Sequence, residues 1–507
     1  MMNSERPPLL SMLLPAAIGL AAGALVVYSI ANIDIKWTAF IVMALGAVSV
    51  GILLATTTNL LRKVLLFGTV LSLPIHYSNT FMYVRDAPFI VMANGFPITL
   101  SNAFLIPLLI LWAYELLFDP ACPPIRLPKG WLVPMTVLLL VNIVSAYMAP
   151  VPFYGYSMIW LQLKCYLILL YFANNVRDQD TLKLIGIAFA GVLIMEGVIV
   201  LEQRFLGVIF TAENLGRGAV VLKSRIGPGG GEILRMAGTE SHPNALAMYL
   251  NLMLPWVGFL FIAEKKASLR LLLLAGVVLA MISLIFSGSR GAWLGLAITI
   301  TTGIFLWMRK KGKNPLVGLG VSGILMLLLF AFLFAASTTF RSRLVEGDQG
   351  AAYSRVPLME VAKEVISSNP VMGVGLNNYT HEMGRYDHTA ERIATQYGYA
   401  VHNTWMLMSA ETGVPSFLVF AYLFFFLFLR EGYRVFRDNQ GTLSTVGIGI
   451  LCMLLGWSVH NLVNLTAPYD EPAIWVLVGV LAAASRATPH APLRQVPRRR
   501  LQPKLHA

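Results

Sequence analysis

Long apolar segments joined by short polar ones make up most of this chain. A helix needs about 20 apolar residues to cross the hydrocarbon core of a membrane, and fourteen segments are candidates. Seven lie near residues 9–30, 38–56, 62–77, 97–118, 131–149, 157–173 and 184–202. Seven more lie near residues 244–263, 269–287, 291–308, 315–337, 403–429, 443–462 and 472–485. The pattern predicts an all-α fold, a polytopic transmembrane helix bundle of about 14 spans.

One long polar segment, residues 338–402, interrupts this pattern. Its charged, glycine and proline residues would leave polar groups unpaired in hydrocarbon, so the segment must form a loop outside the membrane. Within it, apolar residues at helical spacing predict an amphipathic helix that ends before Asn369-Pro370. These apolar residues are Leu358, Val361, Ala362, Val365 and Ile366. We expect this helix to lie flat on the outer membrane face like a lid.

Composition and charge support a membrane protein and set its orientation. A chain of 507 residues that is 57% hydrophobic and 12% charged is too apolar for a soluble globular protein. Much of the lysine and arginine behind the net charge of +13 lies in alternate connections and in the C-terminal tail, as at 62–63, 265–266, 309–311 and 498–500. The positive-inside rule therefore places both termini in the cytoplasm and explains much of the charge without nucleic acid. The three cysteines lie far apart and suggest neither a disulfide framework nor a metal cluster.

The same patterns divide the chain into four parts. Residues 1–202 form the N-terminal transmembrane helices, 203–465 a core, 466–485 the last transmembrane helix and 486–507 a basic cytoplasmic tail. Within the core, the loops 203–243 and 338–402 lie on the outer side and carry many cations. Long loops are exempt from the orientation rule, so this charge needs another reason. An anionic ligand at the outer face would supply one.

Three polar residues lie beside apolar segments, where removing a charged or polar group from water costs free energy. Arg290, in Ser287-Gly-Ser-Arg-Gly291, lies between two apolar segments joined by a few residues. Arg235 precedes the polar turn Gly238-Thr-Glu-Ser-His-Pro-Asn244, and His402 with Asn403 opens a later helix. Arginine binds phosphate oxygens in a bidentate manner, and histidine can accept a proton near neutral pH. This set suits transfer from a lipid-linked sugar with a diphosphate leaving group, for which no metal or other cofactor is needed.

Structural explanations compete with these roles. Arg290 could be a topological anchor, His402 could cap the helix that begins beside it, and Arg217 or Arg225 could replace Arg235.

Other polar residues also have structural explanations. We expect His242 to shape its turn while Asn244 caps the following helix. Glu411 could orient a partner across helices or could be a carboxylate satisfied by packing. Lys164, midway along a span, should face a cavity or a carboxylate.

The motifs resemble those of the O-antigen ligase and polysaccharide polymerase family of bacterial inner membranes. Besides Ser287–Gly291 and Gly238–Asn244, the resemblance includes Asn369-Pro-Val-Met-Gly-Val-Gly375 and His402-Asn-Thr-Trp-Met-Leu-Met-Ser-Ala-Glu-Thr-Gly413, in the order of the family. The resemblance implies a fold like that of C-type glycosyltransferases. It also implies metal-independent, inverting transfer of a glycan from undecaprenyl diphosphate to a lipid or glycan acceptor at the periplasmic face.

Carried over by position, the resemblance assigns roles to individual residues. Arg290 and Arg235 would hold the diphosphate, and His402 would activate the acceptor hydroxyl. Four residues would support them: Ser289, His242, Asn403 and Glu411. Two alternatives remain open. A polymerase of lipid-linked repeats would use the same donor site, whereas a transporter or flippase would be expected to show repeated halves, which the sequence lacks.

Overall fold

The computed structural model describes residues 59–75, 78–84, 91–206, 222–225, 232–240, 242–336, 340–341, 344, 355–466, 469 and 471–486. The candidate spans 9–30 and 38–56 and the tail beyond residue 486 lie outside these residues. Within them, residues 59–66 and 103–122 belong to one compact unit, and residues 67–102 and 123–486 belong to a second. In the smaller unit, the Arg62 guanidinium pairs with the Glu115 carboxylate. The packing and the candidate site described below concern the larger unit.

Helices dominate both units. They are α1 (Asn59–Leu71), α2 (Leu100–Phe118), α3 (Leu132–Met148), α4 (Pro152–Asn175), α5 (Gln179–Phe205), α6 (Pro243–Ala263), α7 (Ala267–Ser287), α8 (Arg290–Lys310), α9 (Pro315–Ala336), α10 (Arg355–Ser368), α11 (Tyr379–Glu382), α12 (Ile393–Gln396), α13 (Thr404–Asp438), α14 (Gly441–His460) and α15 (Pro472–Arg486). A 3₁₀ turn covers Met383–Tyr386, and the segment Tyr422–Phe428 of α13 is a π-helix.

The structure confirms a helical fold with several candidate spans. Among the described residues, nine helices are long and apolar enough to cross a membrane, and the apolar helices α3 and α15 are shorter. The predicted span 62–77 appears as α1, whose 13 residues cover about 20 Å. The total of about 14 spans and the orientation of the termini remain predictions.

Two antiparallel strand pairs were not predicted. Strand β1 (Ser78–Phe81) pairs with β2 (Phe96–Thr99), and β3 (Leu222–Arg225) pairs with β4 (Glu232–Arg235). The sequence between β3 and β4 is rich in glycine and contains a proline, a composition typical of hairpin connections. Both pairs are only four residues long, so they do not alter the helical class of the fold.

Helices α6 and α14 are the most enclosed of the nine, while α9 has little buried surface. Bulky aromatic side chains fill the interior around them, including the buried Trp256 and Trp457. Small residues let helices approach closely: the backbone of Trp256 lies against Gly449, where any side chain would collide with it. The centre of the larger unit is therefore packed by protein, and α9 presents an apolar surface suited to lipid.

A glycine and a proline interrupt the hydrogen-bond pattern of helix α13. Gly413 has φ 82°, outside the helical region, and Pro415 has no N–H to donate to the carbonyl of Glu411 four residues earlier. The N–H of Val414 donates instead to Pro370 O at 2.9 Å, which leaves the Ala410 carbonyl without its helical donor as well. Two carbonyls inside the bundle thus need other partners.

The loop after α10 supplies those partners. Val374 N donates to Ala410 O, and Gly375 N donates to Glu411 O, each at 2.9 Å. Ser145 Oγ of α3 also donates to Glu411 O, at 3.1 Å. A side chain at Gly373 would collide with the Glu411 backbone, so only glycine permits this approach. The motif 369–375 and the break in α13 therefore form one interlocked unit.

The amphipathic helix in the long polar segment is confirmed as α10. Its residues Leu358, Val361, Ala362 and Val365 are buried in a cluster that includes Tyr379, Met383, Val401 and Ala410. The apolar face thus packs on protein, and the position of this helix at the outer membrane face remains a prediction. Apolar residues from the rest of the loop and from the start of α13 cover this face.

We expect Gly413→Ala to destabilise the protein by about 3 kcal/mol, because alanine is strained at φ 82° and its Cβ would collide with the Val371 carbonyl. The matched control is Gly323→Ala in α9, where nothing lies within 4 Å of the new methyl group. Thermal unfolding of the two purified variants beside wild type measures the difference. Equal midpoints for all three proteins would contradict the interlocking of loop and helix.

Candidate functional site

Five helix ends meet at one end of the larger unit. Here α6, α8 and α13 begin, and α7 and α14 end. Arg235, just ahead of α6, donates to the carbonyl of Ser287, the last residue of α7. Thr404, the first residue of α13, donates from its backbone to Asn461 O, directly after α14. The predicted residues Arg235, Arg290 and His402 all lie at this end of the bundle.

Arg235 is buried and held in a fixed orientation. Its Nε donates to Ser287 O at 2.8 Å, and its Nη2 donates to Asn244 Oδ1 at 2.6 Å. The next residue, Met236, donates its backbone N–H to Phe286 O at 3.1 Å, which ties β4 to the end of α7. These contacts set the plane of the guanidinium before any ligand arrives.

His242, not Asn244, caps helix α6, which corrects the expectation from the sequence. His242 Nδ1 accepts the N–H of Asn244 at 3.0 Å, while the Asn244 side chain turns to Arg235. Only a neutral imidazole can accept this hydrogen bond. Desolvation by the surrounding protein, followed by the positive charge of Arg235, lowers the pKa of His242 from 6.5 to about 4. The cap therefore persists at neutral pH.

Arg290 is the first residue of α8 and is exposed, whereas Ser289 beside it is buried. The preceding Gly288 has φ 59° and makes the sharp turn that separates α7 from α8. A cation at a helix N-terminus is unfavourable by about 0.3–1 kcal/mol through the helix dipole. The position of Arg290 thus does not stabilise α8 through the helix dipole.

His402 does not cap helix α13, so that structural explanation is wrong. Asn403 is the cap: its Oδ1 accepts the N–H groups of Trp405 and Met406, both at 3.1 Å. The His402 ring meets Tyr399 edge-on at 5.0 Å, and its Nδ1 is buried with no hydrogen-bond partner among the described residues. Burial, followed by the charge of Arg355, lowers the pKa of His402 below 6.5, against the opposing effect of the Ala400 backbone.

Two residues that the sequence analysis did not assign also belong to this cluster. Arg355, the first residue of α10, acts electrostatically on His242, His402 and His460. His460, the last residue of α14, is buried, and its Nε2 lies 3.5 Å from Ser289 Oγ. A signal for His460 was present, because His460-Asn461 is a polar pair at the outer end of an apolar segment. Arg355 could have been found as the cation that opens the amphipathic helix.

Glu411 and Lys164 have contacts elsewhere in the larger unit. The buried Glu411 carboxylate accepts backbone N–H groups of Asn377 and, at 3.5 Å, Tyr379, so it supports the loop that follows α10. Lys164 Nζ donates to Thr99 Oγ1 at 3.0 Å, where the sequence suggested a cavity or a carboxylate. Neither contact joins the cluster of arginines and histidines.

The described residues contain no group of three or more histidine, cysteine, aspartate or glutamate side chains arranged to hold a metal ion. A cavity of about 270 Å³ lies at the opposite end of the unit, between the ends of α6, α8 and α13 and the start of α14. It shares no residue with the cluster around His402, so the candidate site is the convergence of helix ends.

Comparison with known proteins agrees with the motifs. Residues 275–421 match the family described as O-antigen ligase, which confirms the resemblance over this region. The match contains the motifs at 287–291, 369–375 and 402–413, while Arg235 and the turn at 238–244 precede it. No curated protein matches the chain.

Proposed function

From the membership of residues 275–421 in the O-antigen ligase family, we propose that this protein is a membrane glycosyltransferase of lipopolysaccharide or exopolysaccharide synthesis. It transfers a glycan from undecaprenyl diphosphate to a lipid or glycan acceptor, at the periplasmic face of the bacterial inner membrane. The observation that carries the proposal is the meeting of Arg235, His242, His402 and the charge of Arg355 at one end of the bundle. Such a cluster suits an anionic leaving group beside a proton acceptor.

Arg235 and Arg290 bind the diphosphate of the donor. As the bond between the anomeric carbon and the diphosphate oxygen breaks, negative charge grows on the leaving group, and fixed guanidinium groups stabilise it. Arg235 is oriented in advance by Ser287 and Asn244, whereas Arg290 is exposed to solvent at the start of α8. The leaving group is undecaprenyl diphosphate, which dissociates from the donor site after transfer.

His402 accepts the proton of the attacking acceptor hydroxyl. The acceptor oxygen forms the new bond to the anomeric carbon on the face opposite the departing diphosphate, so the configuration inverts. The proton passes to an imidazole nitrogen of His402, which the lowered pKa keeps neutral beforehand. Ser289, His242 and Asn403 support this arrangement through the turn at α8, the start of α6 and the start of α13.

We expect His402→Ala to reduce kcat for glycan transfer by about 10²–10⁴-fold, the usual contribution of a general base. A reconstituted assay with a lipid-diphosphate glycan donor and an acceptor measures it, with size-exclusion profiles to check folding. His388→Ala is the matched control, because His388 is an exposed histidine of the same loop. Turnover of His402→Ala at the wild-type rate would remove the general-base assignment.

The pH profile of kcat/KM should have an acid limb with its midpoint below pH 6.5. His402 must be neutral to act, its pKa is lowered below 6.5, and activity is therefore lost only as the pH falls through that lower value. Arg355→Gln should move the midpoint upward, since it removes a repelling charge. Arg392→Gln, an exposed arginine of the same loop, should leave the midpoint unchanged. An unmoved limb in Arg355→Gln would contradict this electrostatic coupling.

Arg290→Lys should lower kcat by about 10²-fold, because an ammonium group cannot reproduce the planar two-point contact with phosphate oxygens. Arg270→Lys provides the control at the other end of α7, where Arg270 lies over the Phe261 ring at 5.2 Å. Initial rates over a range of donor concentrations separate kcat from KM. Full activity of Arg290→Lys would contradict the diphosphate-binding role and support the alternative that Arg290 is a topological anchor.

A further inference from the structure

A row of small residues brings α8 and α14 into close contact. On α8, Gly291, Gly295, Thr299 and Gly303 recur every four residues and so share one face. A Cβ on Gly295 would lie only 2.7 Å from the Gly456 carbonyl oxygen of α14. Thr299 Oγ1 donates to Cys452 O, one turn further along, at 3.0 Å. The two backbones are therefore held at the short distance that small residues permit.

The same face of α14 ends in His460. Gly456 and His460 are four residues apart, so the imidazole continues the contact surface toward the start of α8. A Cβ on Gly291 would lie 3.0 Å from His460 Cδ2, which shows how closely the ring covers this turn. His460 Nε2 lies 3.5 Å from Ser289 Oγ, and the side chain is 1% exposed. His460 thus contacts the turn that presents Arg290.

The next residue, Asn461, contacts the other half of the site. Its carbonyl accepts the N–H of Thr404 at 3.1 Å, and its Oδ1 accepts the Thr404 hydroxyl at 2.9 Å. Asn403, the cap of α13, donates from Nδ2 to Leu462 O at 3.2 Å. Asn461 is fully buried, and its own Nδ2 donates to Trp457 O at 2.9 Å. These contacts fix the start of α13 directly after His402.

We propose that His460 and Asn461 are positioning residues that set the separation between the diphosphate-binding turn at Arg290 and the proton acceptor His402. The proposal rests on the proposed transfer reaction and adds two residues to it. One buried dipeptide contacts both candidate segments, although His460 lies 58 positions after His402 along the chain. Displacement of a reacting group by about 1 Å can cost about 10²-fold in rate, so such a link affects turnover more than donor binding.

The first test moves the His460 ring without removing it. Gly291→Ala forces the ring and the nearby Val463 side chain to shift, because the new methyl group would lie 3.0 Å and 2.9 Å from them. Alanine is also the better helix former, so folding is retained. We expect kcat to fall at least about tenfold while KM for the donor stays within about twofold. Gly320→Ala in α9, which has open space around it, is the matched control and should keep wild-type kinetics.

The second test asks for rescue by a conservative variant. His460→Ala and Asn461→Ala should each lower kcat, whereas His460→Gln, which keeps a polar group toward Ser289, should restore at least about tenfold of the loss in His460→Ala. Binding of undecaprenyl diphosphate, as the probe, should be unchanged in all three. Because His402 is the base, the acid limb of the pH profile should persist in His460→Ala. Loss of that limb would make His460 the proton acceptor and overturn the proposal.

The outcomes separate this inference from the function on which it rests. If wild type transfers glycan and Gly291→Ala, Asn461→Ala and His460→Ala all turn over at the wild-type rate, the positioning role is overturned and the function stands. Equal losses in His460→Ala and His460→Gln, with lowered thermal midpoints, would indicate a structural role only and would also overturn it. If wild type transfers no glycan from any lipid diphosphate, the proposed function fails and this inference falls with it.

Discussion

The need to pair backbone polar groups in a region without water governs this structure. Helices satisfy that need within themselves, and wherever one is interrupted another segment must supply the partner. The carbonyls of Ala410 and Glu411, deprived of helical donors at Gly413 and Pro415, accept instead from Val374 and Gly375. The long polar segment is thereby attached to the bundle by the helix that begins beside His402. The break in α13 would be unfavourable by itself, but its two free carbonyls bind and position the loop that follows α10.

The same requirement orders the candidate site. The Ser287 carbonyl at the end of α7 accepts from Arg235, and the Asn461 carbonyl beyond α14 accepts from Thr404. Each of these carbonyls at a helix terminus thus holds a segment that carries a candidate site residue, Arg235 in one case and His402 in the other. Several cations and imidazoles can then lie close together because the imidazoles stay neutral: desolvation by the surrounding protein and the neighbouring arginines lower the pKa of both His242 and His402.

The sequence indicated polar residues that would be unfavourable in the hydrocarbon core of a membrane. It was least informative for polar residues that are buried in contacts between helices. Arg290 and His402 were found because charge and imidazole are conspicuous at the ends of apolar segments. His460 lies beside the α8 turn, but its contact there is with Ser289, which is distant in sequence, so the polar pair His460-Asn461 alone did not indicate this position. The cap of α6 was misassigned because Asn244 is the commoner capping residue, and only the fold reveals that its side chain is needed by Arg235. The apolar periodicity of α10 correctly predicted a helix, yet periodicity cannot specify whether lipid or protein covers its apolar face.

The two arginines that we propose to bind the donor differ in how the protein holds them. Arg235 has its guanidinium fixed by two hydrogen bonds, so little conformational entropy is lost when a phosphate oxygen arrives. Arg290 is exposed at the start of α8, so a ligand can reach its guanidinium from solvent. In the proposed reaction, the buried Arg235 would fix the register of the diphosphate, and the exposed Arg290 would add a second positive charge beside the leaving group. Both arginines are tied to the short connection between α7 and α8. Arg235 is hydrogen-bonded to Ser287, and Arg290 is the first residue after the connection, so the geometry of this turn sets the distance between the two guanidinium groups.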